Sequence, residues 1–243
     1  MTQKEPDVDI VVLAAGKGSR MKLGTNKMFT KINQIPVLYR TLYRLNEFSV
    51  IRRIVVVIRE DERRDFNEMI QNFGPLAKIE AIMGGGTERH DSVCKGLNYI
   101  HQNPLSEIVM THDGARPFIT TTIIKNLAQK CDHNSIVIPV LRMSETVRQQ
   151  NDNGTCRIID RDRLFITQTP QAFTNNSIEN CFLSEKQKKV TFTDEAGYFE
   201  HLGLAVFMVD GEKWNIKITT QEDLIWSEFL LEKYEKLRLE PFE

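Results

Sequence analysis

The sequence predicts an α/β protein, with a mostly parallel sheet covered by helices on both faces and a projecting β-arm. Short runs rich in Val and Ile alternate with segments in which apolar residues recur at helical spacing. Near-continuous apolar runs are typical of parallel strands that are buried on both sides. A break in this alternation between Leu141 and Phe165 contains a hairpin signal. We therefore interpret residues 1–243 as a single domain, with a β-arm at about 141–165.

The elements follow one another in a regular order. Strands are predicted at residues 9–14, 53–58, 79–83, 107–110 and 135–138, and helices follow the first four of them at 36–48, from 61, around 93–100 and around 123–131. Beyond the arm come an apolar run at 164–167, a helix around 177–183, a strand at 204–209 and a last amphipathic helix around 224–231. Ligands of such sheets bind beyond the carboxyl ends of the strands, so we expect the functional residues there.

The arm is predicted from two β-rich runs and the turn between them. Thr146-Val-Arg-Gln149 and Cys156-Arg-Ile-Ile159 flank Asn151-Asp-Asn-Gly154, and Asn-Gly between alternating runs favours a tight hairpin. In a monomer such an arm leaves two strand edges exposed. Pairing with a second subunit would cover those edges, so we expect a homodimer formed through the arm.

Composition excludes several classes of function. The formal net charge is -1 with acids and bases interspersed, which gives no basic face for a nucleic acid. The four cysteines form no Cys-x-x-Cys pair, so they indicate neither a zinc site nor a disulfide framework. The polar, acidic N-terminus and the short apolar runs predict neither a signal peptide nor a membrane span. We expect a cytoplasmic protein without a membrane partner.

A glycine-rich loop follows the first predicted strand. Ala14-Ala-Gly-Lys-Gly-Ser-Arg20 offers backbone N–H groups that can surround an anion, and Arg20 and Lys27 add positive charge. A dinucleotide-binding turn is the rival interpretation, but Met21 stands where its third glycine is required. The Walker pattern is absent as well. The loop therefore favours a triphosphate over a dinucleotide.

At this loop the sequence begins to resemble the sugar-phosphate nucleotidyltransferases, which share the opening over a Rossmann-like sheet. Four later blocks narrow the resemblance: Gly84-Gly-Gly-Thr-Glu-Arg-His-Asp-Ser-Val93, His112-Asp-Gly-Ala-Arg-Pro117, Gln168-Thr-Pro-Gln171, and Thr193-Asp-Glu-Ala196 with Asn215-Ile-Lys-Ile-Thr219. Together, from about Val8 to Leu224, they resemble the 2-C-methyl-D-erythritol 4-phosphate cytidylyltransferases of the non-mevalonate isoprenoid pathway. Two departures, Asn26 before Lys27 and Glu145 before Thr146, leave the functional side chains in place.

The resemblance implies that CTP reacts with a sugar-alcohol phosphate and that pyrophosphate is released. Such a transfer needs positioning and charge neutralisation more than a covalent nucleophile. By resemblance, Arg20 and Lys27 are the catalytic cations. The residues implied in CTP binding are Ala14, Ala15, Gly16, Gly18, Ser19, Gly84, Gly85, Gly86, Ser92 and Lys217.

The second substrate and the metal are assigned in the same way. The implied substrate-binding residues are Asp113, Arg116, Thr146, Arg161, Thr169 and Thr193, with Asp194 as a further candidate; Thr146 and Arg161 would reach into the partner subunit's site. Mg²⁺ is the expected cofactor, and Asp113 is its candidate carboxylate ligand. Asp113 could instead contact substrate hydroxyls, with the metal held mainly by phosphates. His112 is expected to be a structural hydrogen-bonding residue rather than a base.

Two other functions share some of these features. A ribitol 5-phosphate (pentitol phosphate) cytidylyltransferase would keep nearly every block, because the two alcohols differ by little more than a methyl branch and hydroxyl placement. A catalytically idle nucleotide sensor would keep the loop and the arm. The complete set of Arg20, Lys27, Asp113 and Lys217 favours an enzyme over a sensor.

Overall fold

The computed structural model describes residues 7–16, 28–184 and 192–237. Its strands are β1 (Val8–Leu13), β2 (Lys31–Ile32), β3 (Ile35–Pro36), β4 (Ile51–Ile58), β5 (Ile79–Gly84), β6 (Ile108–Asp113), β7 (Ser135–Arg142), β8 (Val147–Gln150), β9 (Cys156–Ile159), β10 (Phe165–Thr167), β11 (Gln171–Thr174) and β12 (Ala205–Asp210). Its α-helices are α1 (Val37–Glu47), α2 (Arg63–Phe73), α3 (Arg89–Gln102), α4 (Thr121–Lys130), α5 (Ala196–His201) and α6 (Gln221–Leu237). A π-helical turn spans Glu179–Leu183.

Within these residues the main sheet has eight strands, and most of them run parallel. The order is β10-β7-β11-β6-β1-β4-β5, and β12 also pairs with β7, outside this path. The pairs β1 with β4, β1 with β6, β4 with β5 and β7 with β12 are parallel, whereas β10 and β11 run antiparallel to their neighbours. The predicted mostly parallel α/β fold is confirmed. Strand β11, which separates β6 from β7, was not predicted from the sequence.

Helices cover both faces of this sheet because successive side chains of each strand point alternately to two apolar cores. Ile10 and Ile54 point to the core under α1, α2 and α4, whereas Val11 and Val55 point to the core under α3, α5 and the π-helical turn. Helix α3 lies close to the sheet at Gly96, where an added Cβ would stand 2.5 Å from a methyl of Val11. Glycine is therefore needed there for close helix packing.

The strand order reverses beside β1, and this reversal places the site. From β1 the chain moves outward to β4 and β5, then returns to form β6 on the other side of β1. Leu13 and Asp113, the last residues of β1 and β6, are aligned in register. Ligands of doubly wound sheets bind in the crevice at such a reversal.

The opposite ends of the same strands carry a chain of polar contacts. Ser106 donates to Asp9 at 3.0 Å, Asp9 pairs with Arg53 at 2.6 Å, and Arg53 pairs with Glu80 at 3.0 Å. The Asp9 and Arg53 side chains are 0% and 1% exposed. The four residues follow the sheet order β6-β1-β4-β5, so this chain links the starts of four neighbouring strands.

The region predicted as an arm forms a separate hairpin. Strands β8 and β9 pair antiparallel with each other around residues 151–155, and most of their side chains are exposed. Ile158 is 63% exposed although it is a large apolar residue. Among the described helices, none combines the length and apolar character that crossing a membrane requires.

Candidate active site

A cavity of about 440 Å³ opens at the carboxyl ends of β1 and β6. The loop after β1, the loop between β5 and α3, the end of β6 and the segment after β12 form its walls. Its lining residues are Leu13, Ala15, Gly16, Met28, Arg59, Gly86, Thr87, Glu88, Arg89, Ser92, Asp113, Ala115 and Lys217. This volume suits a nucleotide-sized ligand.

Small residues bring the two loops of this cavity into contact. An added Cβ at Gly85 would lie 2.6 Å from the Cβ of Ala15 and 2.8 Å from Oγ of Ser92. The Gly86 N–H donates to that same hydroxyl at 3.1 Å. Gly84, Gly85 and Ala14 lie beside the cavity wall rather than on it, since they are absent from its lining. The small size of Ala15 and Gly85 fixes how closely the two loops approach each other.

Among the described residues, three cations surround the carboxylate of Asp113. The Lys217 ammonium lies 2.9 Å from one oxygen, Arg116 Nε lies 3.4 Å from the same oxygen, and Arg89 Nη2 lies 3.8 Å from the other. Burial alone would raise the pKa of Asp113, but these cations hold it well below its usual range. Asp113 is therefore ionised at neutral pH.

The segment that carries Lys217 is held by backbone contacts on both sides. The Asn215 carbonyl accepts from Arg116 at 2.8 Å and from the Gln168 amide at 3.1 Å. The Ile218 N–H donates to the Ala115 carbonyl at 2.9 Å. These contacts fix the segment against the end of β6, so Lys217 reaches Asp113 from a part of the chain about a hundred residues away.

His112 is buried and hydrogen-bonded at both ring nitrogens, which agrees with the expected structural role. Nε2 lies 3.1 Å from the Arg116 carbonyl, which can only accept, so Nε2 carries the proton. Nδ1 lies 3.0 Å from the Thr169 hydroxyl and accepts from it, and that hydroxyl accepts from the Asp113 N–H at 3.1 Å. Burial lowers the pKa of His112 to about 4. The ring is neutral, and it connects β6 to the loop before β11.

A second cavity of about 190 Å³ adjoins the first. Its lining residues are Arg89, Asp113, Arg116, Thr167, Gln168, Thr169, Gln171, Thr193, Asp194 and Lys217. Arg89, Asp113 and Lys217 line both cavities and so form their common wall. Two ligands that filled the two cavities would meet at this wall.

The comparisons with known proteins agree on one family. The family model described as 2-C-methyl-D-erythritol 4-phosphate cytidylyltransferase matches residues 8–233. The chain belongs to this family. A relative of that name from Shouchella clausii is 35% identical over 225 residues, covering 93% of this chain and 96% of the relative. One from Syntrophus aciditrophicus is 36% identical over 232 residues, covering 95% and 98%.

Solved structures of the family have the same fold. A 4-diphosphocytidyl-2C-methyl-D-erythritol synthase from Anaerococcus prevotii matches with a TM-score of 0.78 at 28% identity, covering 94% of this chain and 97% of the other. A 2-C-methyl-D-erythritol 4-phosphate cytidylyltransferase from Francisella tularensis matches with a TM-score of 0.72 at 29% identity, covering 92% and 99%. The fold predicted from the resemblance is therefore the family fold.

The structure brings most of the predicted site residues together. Ala15, Gly16, Gly86 and Ser92 line the larger cavity, Arg116, Thr169 and Thr193 line the smaller one, and Asp113 and Lys217 line both. Gly18, Ser19, Arg20 and Lys27 lie outside the described residues. Thr146 and Arg161 are exposed on the arm and line neither of the two cavities; Arg161 donates to the Ser144 carbonyl at 2.5 Å.

Arg89 and Glu195 had no role predicted from the sequence. Arg89 begins α3, and its guanidinium pairs with the buried Glu195 carboxylate at 2.5 Å. Burial alone would lower the pKa of Arg89, but Glu195 raises it above the usual value. Both residues stand inside motif blocks, which was the available signal. Their contact crosses 106 positions and is not visible in one sequence.

The described residues fit a magnesium ion whose ligands are mostly substrate phosphates. They contain no cluster of three or more His, Cys, Asp or Glu side chains suited to a metal. Asp113 is the carboxylate at the common wall, and Mg²⁺ is commonly held by one or two carboxylates together with substrate phosphates and water. Lys217 already contacts Asp113 at 2.9 Å, so an ion bound to this carboxylate would have to share it with the ammonium.

Proposed function

We propose that this protein transfers the cytidylyl group of CTP to 2-C-methyl-D-erythritol 4-phosphate, giving 4-diphosphocytidyl-2-C-methyl-D-erythritol and pyrophosphate. Family membership over residues 8–233 supports the substrates. The single structural observation that carries the proposal is the common wall of Arg89, Asp113 and Lys217. At this wall a nucleotide in the larger cavity would contact a small phosphate in the smaller one.

The reaction joins the two ligands across this wall. A phosphate oxygen of the sugar alcohol forms a bond to the α-phosphorus of CTP, and the bond between the α-phosphorus and the bridging oxygen breaks, so pyrophosphate leaves with that electron pair. Negative charge accumulates around the α-phosphorus, and preorganised cations stabilise it. Lys217 and Arg89 are in place to do so. By resemblance, Arg20 and Lys27 add charge from the loop after β1.

Mg²⁺ is the proposed cofactor, with Asp113 as its protein ligand. When bound, the ion would neutralise phosphate oxygens of CTP. In the alternative assignment Asp113 accepts hydrogen bonds from the hydroxyls of the sugar alcohol. The smaller cavity would receive that alcohol between Arg116, which can hold its phosphate, and Thr193.

A homodimer formed through the arm completes the proposal. The exposed Ile158 and the outer edges of β8 and β9, with which no other described strand pairs, suit a contact with a second copy. Thr146 and Arg161, which line neither of the two cavities of their own chain, would then contribute to the partner's smaller cavity. None of the four cysteines forms a disulfide bond, as is usual for the proposed cytoplasmic location.

The deciding experiment measures pyrophosphate release with CTP and Mg²⁺, using methylerythritol phosphate and ribitol 5-phosphate as parallel acceptors. We expect release with methylerythritol phosphate. Release with ribitol 5-phosphate alone would keep the chemistry and change the acceptor. Binding of CTP without release from either acceptor would favour the nucleotide sensor and contradict the proposed activity.

A further inference from the structure

Glu195 is a fully buried carboxylate that lines neither of the two cavities. It precedes α5 and accepts three hydrogen bonds: from Arg89 Nη1 at 2.5 Å, from Arg89 Nη2 at 3.3 Å, and from the Thr111 hydroxyl at 2.9 Å. A buried charge is costly unless it is paired and hydrogen-bonded. The charge of the buried Glu195 is therefore stabilised by Arg89 and Thr111 rather than by solvent or a ligand. Arg89 also belongs to the common wall.

The geometry places Arg89 between two carboxylates. Thr111 and Asp113 are two positions apart on β6, so their side chains project to the same face of the sheet. Glu195 lies over Thr111, and Arg89 extends from Glu195 towards Asp113. Its guanidinium is 2.5 Å from Glu195 and 3.8 Å from Asp113. Glu195 thus holds the guanidinium more closely than Asp113 does.

Asp113 is the anion nearest to Arg89 once Glu195 is neutralised. If the guanidinium moved onto Asp113, it would occupy the carboxylate oxygen that Lys217 leaves open, because Lys217 and Arg89 approach different oxygens. The same movement would withdraw the positive charge of Arg89 from ligand phosphates, since a charge paired with Asp113 is less available to them. Both changes would act at the place where the two ligands meet.

We propose that Glu195 is a positioning residue: it holds Arg89 in the wall between the cavities and keeps it from closing onto Asp113, so that both groups remain free for the two substrates. The catalytic part of this inference rests on the proposed cytidylyl transfer. The positional part, that Glu195 keeps Arg89 off Asp113, does not.

The positional part is tested with crystal structures of the unaltered protein and of Glu195→Gln, which keeps the side-chain size and removes the charge. We expect Arg89 Nη2 to move from 3.8 Å to hydrogen-bonding distance of Asp113. Thr111→Val is the matched control, because it removes a different partner of Glu195 and should leave Arg89 in place. An Arg89 that does not move in Glu195→Gln overturns the inference, whether or not the protein is active.

The catalytic part is tested with a double-mutant cycle on pyrophosphate release. Glu195→Gln should lower kcat by about 10–100-fold, the scale of misplacing one catalytic group, with the KM for CTP changed by less than about threefold. Glu195→Asp, which keeps the charge, should recover most of kcat. In an Arg89→Met background, Glu195→Gln should cause no further loss. Equal losses in both backgrounds would overturn the inference, whereas an unaltered protein without activity would instead contradict the proposed function.

Discussion

The neutral, buried His112 predicts a specific loss of stability in mild acid. Its pKa is about 4 in the folded protein, against 6.5 for an ordinary histidine. Between these values the unfolded chain binds a proton that the folded protein excludes, so the free energy of unfolding rises with pH across this range. The contribution of neutral His112 to the free energy of unfolding is complete above pH 6.5 and is lost as the pH falls towards 4. The difference in pKa corresponds to about 3 kcal/mol.

Urea unfolding measured at several pH values between about 4.5 and 7 tests this magnitude. Asp113 does not interfere, because its folded pKa lies below the usual range, and its contribution is lost only below about pH 4. His90 contributes with the same sign, since burial lowers its pKa as well. His90→Gln is therefore the matched control for His112→Asn. If His112→Asn keeps the full pH dependence of the parent, the reasoning is refuted.

Four further substitutions test other parts of the structure. Gly85→Ala would place a Cβ 2.6 Å from a side-chain carbon of the loop after β1; we expect a raised KM for CTP in steady-state kinetics, and an unchanged KM would show that the loops can separate without consequence. Asp9→Asn should lower the free energy of unfolding by about 3–5 kcal/mol, because it leaves Arg53 buried without its closest charge partner; a loss below about 1 kcal/mol in urea unfolding would contradict this. Lys27→Ala should lower kcat by about 10²–10³-fold, and near-normal turnover would remove Lys27 from the mechanism. Arg161→Ala should chiefly weaken the binding of the sugar phosphate. Mixing the Lys27→Ala and Arg161→Ala proteins should restore part of the pyrophosphate release if each arm contributes to the site of the other subunit. Subunits with self-contained sites would show no recovery.

The fold was predictable from the sequence wherever the apolar pattern was long and regular. The strands β1, β4 and β7 contain runs rich in Val and Ile, and their alternation with helices was sufficient to predict a parallel sheet. Strand β11 was missed because Gln171-Ala-Phe-Thr174 is only four residues long and begins with a polar residue. Its place between β6 and β7 follows from pairing with both neighbours, which no local pattern records.

The site was predictable to the extent that single residues carry recognisable chemistry. Asp113 and Lys217 stand in motif blocks, and the resemblance assigned both to the site. Their contact, and the approach of Arg89 to the same carboxylate, follow from the meeting of three distant segments at the end of β6. Glu195 was overlooked although it stands in a motif block, because its partner Arg89 is 106 positions away in the sequence. Its significance depends on the guanidinium that it pairs with.

The polar contacts that link the starts of β6, β1, β4 and β5 also affect the carboxyl ends of these strands. Asp9 is four residues before Leu13 in β1, a separation of about 13 Å at the usual strand rise. A strand that slipped by one residue would turn every side chain to the other face and would end the alignment of Leu13 with Asp113. The contacts of Asp9 with Ser106 and Arg53 oppose such a slip. We therefore expect some substitutions at Asp9 to abolish turnover in protein that still folds. Every residue of the cavities would be unchanged, but the carboxyl ends of β1 and β6 would no longer be in register.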